Sequence, residues 1–260
     1  MSDAVTPYAL LFAPYDAVAL IANSEELDLA AVQADLPANT LFVFFTRCPR
    51  VIKTPFRRDA VLFHLLNAAL EINETDAVAD KARALFAPGA LKAEFGLRIG
   101  RGGKVLDPPD RQAAGIDHTV DCSKITNEWY TPGLAPTTGF AASLWLRALL
   151  PDKDIYLCGF SGVRGAAFTV RTMHDWTLEQ SVLRLMYRRG SLIPFEKAKR
   201  QPSLHERVQM AVPGATAEEI CAVTDDVLAA RLTALDRLMA RLVSILRLPL
   251  SIDGWLKRRG

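Results

Sequence analysis

Apolar residues along this chain gather into short runs closed by polar or turn-forming residues. The first is Asp16-Ala-Val-Ala-Leu-Ile-Ala-Asn-Ser24, which has the pattern of a buried strand delivering its carboxyl end to a loop. Glu25 and Glu26 follow it, and early acids suit the amino terminus of a helix. Thr40-Leu-Phe-Val-Phe-Phe-Thr46 is a second β-rich run, while Ala60-Val-Leu-Phe-His-Leu65 reads equally as a third strand or a buried helix. From about Arg98 to Gly133 glycines and prolines break regular structure and predict loops. Ala135-Pro-Thr-Thr-Gly139 then opens an apolar helix to about Leu150, Asp152 to Asp154 turn, and Ile155-Tyr-Leu-Cys-Gly-Phe160 reads as a central strand. Strand, helix and strand in this order predict an α/β fold, with a mostly parallel central sheet flanked by helices.

The carboxyl-terminal stretch has a different rhythm. Thr216 and Glu219 have capping-box spacing, and Leu228, Leu232, Leu235, Met239, Leu242 and Leu246 then recur four and three residues apart. The expected organisation is therefore an α/β domain over 1–215 and an amphipathic helical extension over 216–260 packed on it. A stripe of this kind also suits an oligomerising helix or one lying on a membrane surface.

Composition narrows the classes. Across 260 residues, 31 Lys and Arg face 29 Asp and Glu, a net charge of +2 that excludes a globally basic nucleic-acid binder. Half of the residues are hydrophobic and 23% charged, so most of the chain can bury a core. The cations concentrate late, at Arg231, Arg237, Arg241, Arg247 and Lys257-Arg-Arg259, a distribution suited to anionic lipid. Apolar runs such as Thr138 to Leu146 stop well short of the roughly 18 residues that a bilayer span needs. Without a cationic, export-type amino terminus, a cytoplasmic protein is expected, peripheral on the inner membrane face if its basic end engages lipid. Cys48, Cys122, Cys158 and Cys221 lack metal-site spacing and read as buried thiols.

Three places carry candidate chemistry. His174-Asp-Trp-Thr-Leu-Glu179 puts an imidazole, whose pKa lies near neutrality, just before a helix that Asp175 or Thr177 can cap. Pro136-Thr-Thr-Gly139 offers hydroxyls and unpaired N–H groups at a helix start, where an anion is welcome. Asn23-Ser24 sits at a strand end, where α/β sheets collect ligands. Taken singly, each has an ordinary structural account as a core histidine, a helix cap or a turn. His64 in its apolar run reads as core, and Asp152-Lys-Asp154 as a surface turn rather than a cation pair. Gly100-Arg-Gly-Gly103 lacks the residues of a phosphate-binding loop.

Taken in order, Leu20-Ile-Ala-Asn-Ser24, Pro136-Thr-Thr-Gly-Phe140 running to Gly159-Phe160, and His174-Asp-Trp-x-x-Glu179 resemble the long, short and very short sialylmotifs. These mark the sialyltransferases of glycosyltransferase family 29, kin to the compact bacterial family 42. The resemblance implies a Rossmann-like domain that moves a sugar from a CMP-activated donor with inversion and without a metal or other cofactor. It implies that His174 is the general base, with Asp175 and Glu179 in support. Donor contacts would come from Asn23, Ser24, Thr46, Thr137, Thr138, Gly139, Gly159 and Phe160, and by charge and position from Tyr130, Arg164 and Arg171. Two departures stand out: Ala22 replaces the usual glycine before Asn-Ser, and Thr46 stands where the family has an asparagine.

The expected substrates are a CMP-linked 2-keto-3-deoxy sugar, sialic acid or Kdo, and a glycan or lipid-linked saccharide acceptor. Peripheral membrane contact through the basic end and homo-oligomerisation are the expected associations, with no nucleic acid. The alternatives on the same fold are a CMP-sugar hydrolase and a non-catalytic binding module.

Overall fold

Every position of Ala17–Ile21 (β1) and Thr40–Phe45 (β2) is buried, which requires a strand covered on both faces. The computed structural model describes residues 6–66, 72–99, 108–126, 128–131, 133–160, 174–195 and 204–256. Five further strands, Ala60–Leu66 (β3), Leu91–Arg98 (β4), His118–Asp121 (β5), Asp154–Cys158 (β6) and Ile193–Phe195 (β7), join them in one sheet of order β5-β4-β3-β2-β1-β6-β7. All six pairings are parallel, so the architecture is Rossmann-like α/β.

Side chains alternate between two cores because successive Cβ atoms point to opposite faces. Val18, Leu20, Val43, Val61, Phe63 and Phe95 meet Thr6–Phe12 (α1), Thr138–Leu149 (α6) and Trp176–Arg188 (α7) on one side. Ala19, Ile21, Phe42, Phe44 and Leu62 meet Leu29–Asp35 (α2) and Ile72–Arg83 (α3) on the other. Cys48, Cys122 and Cys158 lie within these cores, where burial pushes each thiol up to about 12. Cys221 is exposed, which corrects the expectation that all four are buried.

Several elements differ from the sequence expectations. Residues 60–66 are a strand, with Phe45 paired to Phe63, which resolves that ambiguity. The helix after β1 starts at Leu29 rather than at the glutamates, because Asp28 Oδ1 accepts the Ala31 N–H 3.0 Å away. The glycine-rich stretch contains Pro108–Ala113 (α4), β5 and Ser123–Thr126 (α5), with β5 an edge strand held by Phe95 to Arg98.

The chain divides into two compact units, 1–197 and 198–260, a boundary earlier than the expected 215. The second unit holds Leu204–Ala211 (α8) and Ala217–Leu256 (α9). The capping box forms: Thr216 N–H donates to Glu219 Oε2 at 2.8 Å and Glu219 N–H to Thr216 Oγ1 at 3.2 Å. Among the described residues no helix is long and apolar enough to cross a membrane.

Candidate functional site

The sheet order runs outward from β1 to β5 on one side and from β6 to β7 on the other, so the winding reverses between β1 and β6. In open α/β sheets ligands bind outside the carboxyl ends of the strands at such a reversal, which makes this end of β1 and β6 the candidate crevice. Ala22 N–H still donates to Cys158 O at 2.9 Å, and beyond that pair Asn23 leads into a turn closed by the Leu27 N–H donating to Ser24 O at 3.2 Å. Gly159 lies in the left-handed region at φ +79°, where a Cβ would stand 3.3 Å from Ser24 Cβ and 3.4 Å from Ala22 Cβ. The two loops are thus in near contact. A Cβ on Gly139 would come within 2.6 Å of Phe160 Cε1, so the first turn of α6 presses on the same place. Asn23, Ser24, Thr137 to Gly139, Gly159 and Phe160 therefore assemble at one crevice from three distant segments.

Thr137 caps α6, its Oγ1 accepting the Phe140 N–H at 3.2 Å. That leaves the Thr138 and Gly139 N–H groups without intrahelical acceptors at the positive end of a helix. The cap is itself held. Glu179, 2% exposed, accepts Thr137 N–H at 2.8 Å and the Thr137 hydroxyl at 2.6 Å, and also Tyr130 OH at 3.1 Å. Burial raises the Glu179 pKa more than these three bonds and the nearby His174 lower it, and burial beside Glu179 also drives the Tyr130 phenol upward. Glu179 and Tyr130 thus share one buried cluster behind the α6 start.

His174 Nδ1 is 2.7 Å from Ala135 O. A carbonyl only accepts, so Nδ1 carries the hydrogen and the neutral ring keeps its lone pair on Nε2. Trp176 meets this half-buried ring edge-on, with centroids 5.7 Å apart. Asp175 is the cap of α7, accepting Leu178 N–H at 2.9 Å, which accounts for its carboxylate structurally. The 135–137 segment is therefore tied to α7 twice, through His174 and through Glu179.

Asn23 Oδ1 is buried and has no hydrogen-bond partner among the described residues, a vacancy that a bound group can fill. Thr46 stands at the end of β2, one strand over, and its contacts run away from the crevice. Its hydroxyl lies 3.2 Å from Phe63 O and 3.3 Å from His64 Nδ1. His64 Nε2 in turn meets Glu94 Oε2 at 2.6 Å, and Arg83 Nε reaches Glu94 Oε1 at 2.8 Å. Burial pushes Glu94 up, but its bonds to His64 and Arg83 outweigh that and hold it below the usual carboxylate range. An ionised Glu94 fixes the His64 hydrogen on Nε2. The one proton of Thr46 then goes inward, to Phe63 O or His64 Nδ1, and Thr46 offers a ligand only lone pairs.

This chain of Thr46, His64, Glu94 and Arg83 was not visible in the sequence, where His64 reads as core. The one hint was a histidine inside an otherwise apolar strand. Asp154 opens β6 and Asp152 precedes it, so both lie at the sheet end opposite the crevice. Arg164, Arg171 and the Gly100 to Gly103 segment lie outside the described residues. Among the described residues no group of three His, Cys, Asp or Glu side chains is placed to hold a metal ion. Comparison with known proteins finds no matching family model, no similar curated protein and no similar solved structure.

Proposed function

We propose that the protein is an inverting, metal-independent glycosyltransferase that moves a 2-keto-3-deoxy sugar from its CMP-activated form to a hydroxyl of a glycan. The observation that carries this reading is the His174 Nδ1 bond to Ala135 O, which leaves a basic Nε2 beside a helix start suited to an anion. In this reading Nε2 takes the proton of the acceptor hydroxyl as its oxygen bonds to the anomeric carbon. The bond from that carbon to the phosphate oxygen breaks on the opposite face. The departing CMP carries the negative charge, which the Thr138 and Gly139 N–H groups and the Ser24 hydroxyl receive, while Asn23 Oδ1 accepts from a donor group of the nucleotide. His174 then loses its proton to solvent.

The anomeric carbon of such a sugar is tertiary and bears a carboxylate, so its transition state resembles an oxocarbenium ion. Its demand is for leaving-group stabilisation rather than a strong nucleophile. Glu179 and Tyr130 serve the helix start from behind, and Gly159 and Phe160 shape the donor side.

The test offers CMP-sialic acid and CMP-Kdo separately with candidate glycan acceptors and follows CMP release. His174→Ala is expected to lower transfer by roughly 10²- to 10⁴-fold while CMP still binds. Transfer undiminished in the variant removes His174 from this role. CMP binding without turnover on any acceptor favours a binding module, and CMP release to water alone favours a hydrolase.

A further inference from the structure

The described side chains of α9 up to Leu242 are exposed, save Ile220, which is buried, and Thr224, which is half-buried. Leu228, Leu232, Leu235, Met239 and Leu242 are between 47% and 61% exposed. Their alternating spacing of four and three residues is the seam of a left-handed coiled coil. A lone surface helix in water does not keep a continuous apolar stripe of this length uncovered.

The charges beside the seam identify its cover. With Leu228, Leu235 and Leu242 at the d positions, Leu232 and Met239 occupy a, Arg231 occupies g and Asp236 occupies e. In a parallel, in-register pair each g residue faces the e residue five positions on in the other helix. Arg231 of each copy then meets Asp236 of the other, twice by symmetry. An antiparallel overlap that matches Leu232 with Leu242 brings Asp236 against its own counterpart, which like-charge repulsion opposes. Asp225, at the preceding a position, ends the seam on its amino-terminal side. An anionic lipid surface fits less well, because Asp225 and Asp236 both border the apolar stripe.

We propose that α9 pairs with α9 of a second copy of this chain as a parallel coiled coil. Leu228, Leu232, Leu235, Met239 and Leu242 form its seam, and reciprocal Arg231 and Asp236 ion pairs fix its register. The inference is independent of the chemistry at the crevice.

Light scattering of the full chain at micromolar concentration is expected to give twice the chain mass. Leu235→Lys, on an exposed position that leaves the fold intact by circular dichroism, is expected to give the single-chain mass. Arg231→Asp and Asp236→Arg should each weaken the dimer by about tenfold or more, and the double reversal should restore it. Orientation is read independently: Leu235→Cys in a Cys221→Ser background should form an intersubunit disulfide on mild oxidation.

A single-chain mass for the wild type overturns the proposal, as does a dimer indifferent to the charge reversals. So does a wild type that remains monomeric yet pellets with phosphatidylcholine and phosphatidylserine vesicles in a Leu235-dependent way.

Discussion

Glu179 and Glu94 are both buried carboxylates, yet their environments push them in opposite directions. Burial wins at Glu179 and raises it, whereas His64 and Arg83 together overcome burial at Glu94 and lower it. The pH dependence of stability follows with opposite signs. A raised carboxyl contributes stability fully below its unfolded value and loses it as pH climbs through the folded value. A lowered one contributes above its unfolded value and loses it as pH falls through the folded value. Glu179→Gln should therefore flatten the decline in melting temperature above the ordinary carboxyl range, and Glu94→Gln the decline below it. Glu94→Gln also removes the charged acceptor of His64 and one of the two of Arg83, which keeps Asp80, at roughly 3 kcal/mol near neutral pH, measurable by urea unfolding. Little of this was legible in the sequence. The Thr137 and Asp175 caps are local and could be read from a few residues. The His64 to Glu94 pair exists only because β3 and β4 lie in one register, with His64 beside Gly96 and Glu94 two positions earlier.

At the scale of elements, the crevice depends on two glycines whose missing side chains let distant segments touch. Gly139→Ala places a methyl against the Phe160 ring, and overpacking of this kind costs about 1–3 kcal/mol. Phe160→Leu in the same chain should recover part of that cost, and a double-mutant cycle by chemical denaturation measures the coupling. Gly159→Ala pays instead for backbone, about 1–2 kcal/mol at its positive φ, and the Phe160 change should leave that cost untouched. The strands β1, β2 and β6 and the helices α6 and α7 were legible because each carries an unbroken apolar run or a local cap. β4 was not: Lys92, Glu94 and Arg98 interrupt it. Their partners Asp59, Arg83 and Asp121 come from elsewhere in the chain. Edge strand β5 spans only His118–Asp121, too little for a period to show.

For the whole molecule, the reversal of winding between β1 and β6 unites motifs that sequence order keeps apart. The order of the motifs was legible; their convergence on one crevice needed the sheet. Ligand linkage gives a direct reading of that convergence. CMP at about 100 times its dissociation constant should stabilise the protein by roughly 2.7 kcal/mol, seen as a rise in melting temperature. His174→Ala should keep that rise, since in the proposed mechanism its Nε2 serves the acceptor, whereas Asn23→Ala should reduce it.

The same sheet order sets when the crevice can exist. β1 pairs with β2 almost at once in chain order, but its other neighbour begins at Asp154, so that contact closes a very long loop. While the chain is being made, β1 to β5 can assemble with one flank of β1 still an open edge. On the proposed function, nucleotide binding would be a property of the finished sheet, so on refolding CMP binding should return with the docking of β6 rather than with the earlier gain of helix.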